Sequence, residues 1–281
     1  MEGRLVRIGS TSYVYPADLL PNVERLAGLV DDVELVLFEV DDHGSTLPDA
    51  ATVARLSELA TAHNLTYTVH LPLDLRLADD GSMAHISLEK ARKVIDATCQ
   101  LSPWGYVVHL NGEALQGQST SDEVKRWREQ ARRSLEIVCG WLDDPRRLCL
   151  ENVERWDPTA FAPIVQSLPI SRCVDVGHLW MQGVDPLEHL CSWGERTRIV
   201  HLHGLAERDH RSLAHMPPER LDPVVTFLVQ SFRGVVTLEV FSEADFFSSL
   251  AAWRAAMERV GRRGGGGVST LDVHPGRGAQ R

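Results

Sequence analysis

Residues 172–203 read RCVDVGHLWMQGVDPLEHLCSWGERTRIVHLH, and the two ends of this stretch decide the fold. RCVDV and TRIVHL are short, nearly continuously apolar runs of the kind that form strands buried on both faces, and Pro186–Ser192 between them has a helix-entry proline. Each run delivers polar side chains at its C-terminal end: Asp175 and His178 after the first, His201 and His203 after the second. A strand buried on both faces has no packing reason to end in such groups. The same ending recurs along the chain, at Glu39 after VELVLF, His70 after LTYTV, His109 after GYVV, Glu151 after RLCL and Glu239 after VVTL.

Strands are predicted at Leu5–Gly9, Val33–Val40, Thr66–Leu71, Gly105–Leu110, Arg147–Asn152, Arg172–Val176, Thr197–Leu202 and Gly234–Val240. Helices are predicted at Pro16–Val30, Pro48–His63 with Asn64 as C-cap, Ser87–Leu101, Ser121–Trp141, Pro158–Ser167, Pro186–Ser192, Pro217–Ser231 and Glu243–Val260. Eight strands alternating with eight helices indicate a single-domain (β/α)8 TIM barrel over residues 1–261, close to the typical length of about 250 for that fold. An open doubly wound sheet serves its ligand from one crevice and few strands, which fits seven functional endings less well. Residues 262–281 are Gly-rich and lack apolar periodicity, so a disordered tail is expected.

Composition narrows the function. The net charge is −10, and four arginines and one aspartate after Gly261 make the tail +3, which leaves −13 on the body and disfavours a nucleic-acid partner. No apolar stretch reaches the roughly 18 residues of a membrane span, and the N-terminus lacks a secretory signal core, so a cytoplasmic protein with no membrane partner is expected. The five cysteines are odd in number and form no CxxC pair, consistent with reduced, mostly buried thiols. Neither GxGxxG nor GxxxxGK[ST] occurs.

In a barrel the strand ends converge at the C-terminal mouth. Imidazoles and carboxylates without thiolates suit Zn, Mn or Fe, and a bridging carboxylate such as Glu151 suits a site of two or three ions acting on a phosphate ester. Each residue also has a plainer reading. A strand-end histidine can be a packing residue, Glu151 and Glu239 can form barrel salt bridges, and the Asp175–His178 spacing is common by chance. Asp42 and His43 read as solvated loop residues, and Glu39 is equally a substrate contact, a ligand or structural.

The set His70, His109, Glu151, Asp175 with His178, His201, Asp209 with His210, and Glu239 resembles the endonuclease IV-like and sugar-phosphate isomerase (xylose isomerase-like) TIM-barrel superfamily, over about residues 4–260. Within it, IGSTSYVYPADLLPNVERLAGLVDDVELVLFE looks like the cobamide-remodelling phosphodiesterases. That resemblance implies divalent metal ions, two or three per chain, held by those nine residues, with Glu151 and Glu239 as the catalytic carboxylates. It implies hydrolysis of the nucleotide-loop phosphodiester of cobamides, the B12-like cofactors, to cobinamide phosphate and α-ribazole or its analogue. Ser10, Thr11, Ser12, Tyr13, Glu39, His203, Trp156 and Trp180 are the expected substrate contacts, the two indoles offering flat faces to a base or a corrin edge. Asp209 and His210 are adjacent where the superfamily commonly spaces the pair by one residue, so which of them binds metal is open. The alternatives are a sugar isomerase or epimerase using Glu151, Asp175, His201 and Glu239 on one metal, an abasic-site endonuclease, and a corrinoid-binding protein without turnover.

Overall fold

A computed structural model describes residues 6–38, 40–41, 44–115 and 119–264. Eight parallel strands close into a barrel in sequential order: β1 (Arg7–Thr11), β2 (Asp32–Val36), β3 (Thr66–His70), β4 (Tyr106–Val108), β5 (Leu148–Glu151), β6 (Ser171–Asp175), β7 (Thr197–Leu202) and β8 (Val235–Leu238). Closure is made by β1, whose Ser10 pairs with Leu238 of β8 and whose Thr11 pairs with Glu34 of β2. The outer layer comprises α1 (Leu19–Leu26), α2 (Ala50–His63), α3 (Ile86–Thr98), α4 (Ser121–Cys139), α5 (Ala162–Ser167), α6 (Val176–Met181), α7 (Pro186–Trp193), α8 (Pro218–Ser231) and α9 (Glu243–Gly264). The (β/α)8 expectation is met. No helix among the described residues is long and apolar enough to cross a membrane.

Side-chain parity explains the endings. Val107, Cys149, Cys173 and Ile199, from β4 to β7, form a buried apolar cluster apart from the main core, with Trp104 packed against it. Successive inward positions on a strand are two residues apart. The next inward positions are therefore His109, Glu151, Asp175 and His201. On these four strands an apolar level lies beneath an ionisable one.

Boundaries differ from expectation in places with local causes. The second strand stops at Val36 instead of Val40, because its ladder with β3 ends at Val36↔His70, the last residue of β3. Glu39, Asp42 and His43 lie outside the described residues. A helix forms immediately after β6, since Asp175 caps it through a 2.6 Å bond from the His178 N–H to its Oδ1. The last helix continues to Gly264, three residues past the predicted domain boundary, and Arg262 bonds Glu258 one turn back at 3.1 Å. The rest of the predicted tail, 265–281, lies outside the described residues. Asn64 closes α2 in the left-handed conformation at φ 50°, as expected of a C-cap asparagine.

At the lower end of the barrel the fully buried Asp32 accepts hydrogen bonds from Thr66 Oγ1 at 2.6 Å and Thr68 Oγ1 at 2.9 Å. Burial outweighs these bonds and raises its pKa from 3.8 to about 7. The unfolded chain loses this proton near 3.8 and the folded chain near 7, so the group's stabilising contribution is complete below 3.8 and is lost as pH rises to about 7. Asp32→Asn should therefore be more stable than the native chain at pH 8, by on the order of 1–3 kcal/mol, with the gain shrinking at pH 4. Urea unfolding of both proteins at the two pH values checks this; a gain independent of pH would remove Asp32 as a buried titrating group.

Candidate metal centre

Eight of the nine expected ligands belong to three interlocking groups, in each of which the ligand atoms lie within 4.8 Å of one another. The first is His70, His109 and Glu151; the second is Glu151, Asp175, His201 and Glu239; the third is Asp175, His178, His203 and His210, which brings His203 in as a further donor. Glu151 and Asp175 are the shared members. Another grouping of Glu151 and His201 includes Cys173, from the apolar cluster.

Each histidine is oriented by its neighbours. His70 Nδ1 donates to the Leu71 carbonyl at 2.9 Å, which turns Nε2 toward Glu151 Oε2 at 3.6 Å. His178 Nδ1 donates to the Asn152 carbonyl at 3.1 Å and leaves Nε2 free of hydrogen bonds. Asn152 is itself fixed, exchanging bonds with the Asp175 backbone at 2.9 and 3.0 Å. His201 Nε2 meets Glu34 Oε2 at 2.9 Å, so Nδ1 faces Glu239 at 3.0 Å and Glu151 at 3.2 Å. A carboxylate behind an imidazole in this way sets the tautomer and the basicity of a metal ligand. His203 reaches Asp175 Oδ1 at 3.3 Å only because residue 177 is glycine, where a Cβ would lie 2.1 Å from the imidazole Cε1.

Electrostatics follow from this packing. Burial works to raise the pKa of Glu151, but His201 and His109 outweigh it and hold the carboxyl well below its ordinary range. Glu239 is held down in the same way by His201 and His210 against burial. Burial works to lower His109 and His210, yet Glu151 and Asp74 bring the first up to about 10, and Glu239 with Asp175 and Asp209 bring the second up to about 10. Protons thus occupy the His109 and His210 imidazoles at neutral pH wherever no cation balances the carboxylates.

The residues fit a divalent cation. Asp175 Oδ2 and His178 Nε2 are buried without a hydrogen-bond partner, a costly state for polar atoms unless an ion or a proton completes them. Nitrogen and carboxylate donors of this kind suit zinc and its first-row neighbours.

The other expected residues fall as follows. His210, with φ 52°, joins the third group, whereas Asp209 stands behind its ring at 3.3 Å from Nδ1. Ser10, Thr11 and Ser12 are buried. Thr11 Oγ1 donates to the Val240 carbonyl at 2.8 Å and Ser12 Oγ accepts from the Val36 N–H at 3.0 Å, so these hydroxyls tie β1 to its neighbours. Ser10 Oγ lies 3.4 Å from the Leu238 carbonyl. Tyr13 is exposed. Trp156 and Trp180, expected to present flat faces, are only 4% and 5% exposed and belong to the hydrophobic core. Trp156 packs where a Cβ on Gly112 would lie 2.6 Å from its ring. Two acidic residues escaped the sequence reading. Glu34 sits inside β2, and its only signal is a charge within the run VELVLF. Asp74, 3.5 Å from His109 Nδ1, lies in the loop after β3 with no motif around it.

Cation binding must displace imidazole protons, so affinity should rise with pH and binding should release protons. At pH 7 zinc titration by calorimetry in buffers of different ionisation enthalpy should report at least one proton released per chain. No dependence on buffer would contradict the protonation of His109 and His210.

A sequence profile described as Xylose isomerase-like TIM barrel matches residues 25–262. The sequence matches none of the curated proteins. Among solved structures, a D-tagatose 3-epimerase-like protein superposes with TM-score 0.73 at 20% identity, covering 92% of this chain and 99% of that one. Endonuclease IV from Thermus thermophilus gives 0.65 at 22% identity over 90% and 99%, and the TTHB071 protein from the same organism, soaked with ZnCl2, gives 0.62 at 20% over 91% and 98%. At these identities the likeness speaks for the fold alone, whereas the profile spans most of the chain. With a closed eight-stranded barrel whose mouth carries histidines and carboxylates, this chain belongs to the xylose isomerase-like TIM-barrel family.

Proposed function

We propose that the protein is a metal-dependent phosphodiesterase that adds water across the nucleotide-loop phosphodiester of cobamides, releasing α-ribazole or its analogue and leaving cobinamide phosphate. The observation that carries this reading is the linkage of three ligand groups through Glu151 and Asp175. A chain of sites sharing carboxylates suits an in-line displacement, in which entering and leaving oxygens both need charge stabilisation. Divalent cations held there would supply Lewis acidity toward the phosphoryl group and make water acidic enough to act near neutral pH.

The chain's own residues position and screen. Glu34 holds His201, the Leu71 and Asn152 carbonyls hold His70 and His178, and Gly177 admits His203. Arg155 is the one Lys or Arg among the described residues lining the cavity beside the metal centre, and it lies 3.7 Å from Asp74. One guanidinium suits one phosphodiester and suits a polyanionic duplex poorly. The segment SYVYPADLLPNV, which carries the cobamide resemblance, runs from a loop into the first turns of α1, and Asn22 of the helix holds the loop. Asn22 accepts from the Tyr15 N–H at 2.8 Å and donates to the Ala17 carbonyl at 2.7 Å.

A second reading, a single-ion sugar epimerase, is favoured by the self-contained group Glu151, Asp175, His201 and Glu239. It leaves His70, His109, His178 and His203 without a task. Among the described residues, no Ser, Thr, Asn or Gln side chain lines the cavity beside the metal centre to bind sugar hydroxyls.

Elemental analysis of protein purified without chelator should give more than one divalent ion per chain; one ion or fewer with full activity would favour the epimerase. Glu151→Gln should lower turnover by on the order of 10²-fold or more, about 3–4 kcal/mol, with an unchanged circular dichroism spectrum. Near-native turnover would remove Glu151 from the chemistry. Side by side, at one salt and metal concentration, cobamides should be hydrolysed and abasic duplex DNA left largely intact. Faster nicking of the duplex would overturn the substrate assignment.

A further inference from the structure

Among the described residues, the candidate metal ligands occupy the barrel mouth unevenly. His70, His109, Glu151, Asp175, His201 and Glu239 come from the ends of β3 to β8. Large apolar side chains that face solvent cluster at the complementary arc. Phe241 follows β8, Tyr13 follows β1, Phe38 follows β2 and Leu73 follows β3, and these four strands are consecutive around the barrel. Tyr13 is 59% exposed, Phe38 48% and Phe241 39%. Leaving such rings in water gives up the free energy of their burial, and an apolar cluster at a mouth is a recurrent mark of a binding surface.

Phe38, Leu73 and Phe241 line the same cavity as the metal ligands, a space of about 380 Å³. Their distance from the centre is short. Phe38 meets the His70 ring edge-on at 5.6 Å between centroids, and Phe241 lies tilted against His210 at 5.3 Å. A group stacked on either ring would therefore lie beside the candidate metal ligands. Tyr13 opens instead into a neighbouring cavity of about 560 Å³ with Ser12, Leu19 and Leu47.

Resting on the phosphodiesterase reading above, we infer that Phe38 and Phe241, with Leu73, form the subsite for the planar heteroaromatic base of the nucleotide loop. The base is flat, apolar on both faces and one ribose away from the ester. The amide-bearing rim of the corrin ring would find no Ser, Thr, Asn or Gln side chain among the described residues lining this cavity. Stacking of a base on an aromatic side chain is sequence-tolerant and strong enough to be read by single substitutions. The stacking role that the sequence assigns to Trp156 and Trp180 thus passes to two phenylalanines at the mouth.

The test uses α-ribazole, which carries the base and ribose but no diester, titrated calorimetrically into the full chain with and without zinc. Binding is expected, with Phe38→Ala and Phe241→Ala each weakening it by about tenfold or more and cobinamide failing to compete. Because both rings are partly exposed, matching thermal unfolding midpoints will show that the variants keep the fold. Native-like affinity in both variants, no binding to the native chain, or displacement of α-ribazole by cobinamide would each overturn the inference. Failure of the underlying reading looks different: α-ribazole binding lost in the variants, but no cobamide cleaved by the metal-loaded native chain, removes the reaction and keeps the subsite. Cobamide cleavage with KM unchanged in both variants removes the subsite and keeps the reaction.

Discussion

The Glu151 carboxylate is the constraint around which the rest is built. One oxygen faces His109 at 3.0 Å and His70 at 3.6 Å, and the other faces His201 at 3.2 Å and His178 at 3.9 Å. These imidazoles come from β3, from just past β4, from β7 and from α6, so a single buried side chain links four segments far apart in sequence. A carboxylate this deep is expensive to desolvate, and it stays ionised only because positive charge surrounds it. The charge comes from protonated imidazoles or from cations, and the two compete for the same nitrogens. The barrel therefore couples its own electrostatic balance to metal occupancy, most directly at Glu151 and Glu239.

That balance explains the architecture beneath it. The apolar cluster of Val107, Cys149, Cys173 and Ile199 lies beneath the ionisable ends of β4 to β7, and on β2 and β3 Asp32, Thr66 and Thr68 satisfy one another. Packing around this cluster is close. The Cα of Gly105 lies so near that a Cβ there would stand 2.9 Å from Cys149 Sγ. Cysteine thiols in this cluster are packing atoms first; burial pushes Cys149 up to about 12, out of the range in which a thiolate forms at neutral pH.

Parity made much of this readable from residues alone. A continuous apolar run hides which side chains face inward, but a histidine or carboxylate at its end reveals the phase, and His109, Glu151, Asp175 and His201 all follow the apolar cluster by two residues. Glu34 escaped because the same run continues past it to Phe38, so the eye takes Glu39 for the end; the ladder with β3 stops earlier. Trp156 and Trp180 escaped for the opposite reason. An indole after a strand reads equally as a ligand platform or as packing, and the deciding facts are remote: Gly112 lacks the Cβ that would exclude Trp156. His203 depends on Gly177 in the same way. Close approach of a side chain to a distant backbone leaves no periodic trace.

The position of the apolar rings follows from closure of the barrel. The first strand and the residue after it carry Gly9, Ser10, Thr11 and Ser12, small residues whose hydroxyls bind neighbouring backbone and put no ionisable group into the mouth. Its place in the ionisable layer is therefore empty of charge, and the carboxylate of β2, Glu34, is consumed in holding His201. Among the described residues, the exposed apolar side chains Phe241, Tyr13, Phe38 and Leu73 follow the strands from β8 round to β3. A cluster of imidazoles and carboxylates on one side and the rings of Phe38 and Phe241 on the other give the described part of the mouth a polar end and an apolar end. A substrate with one ionised ester beside one flat ring can satisfy both at once, whereas a free sugar satisfies only the first and a duplex presents charge to both.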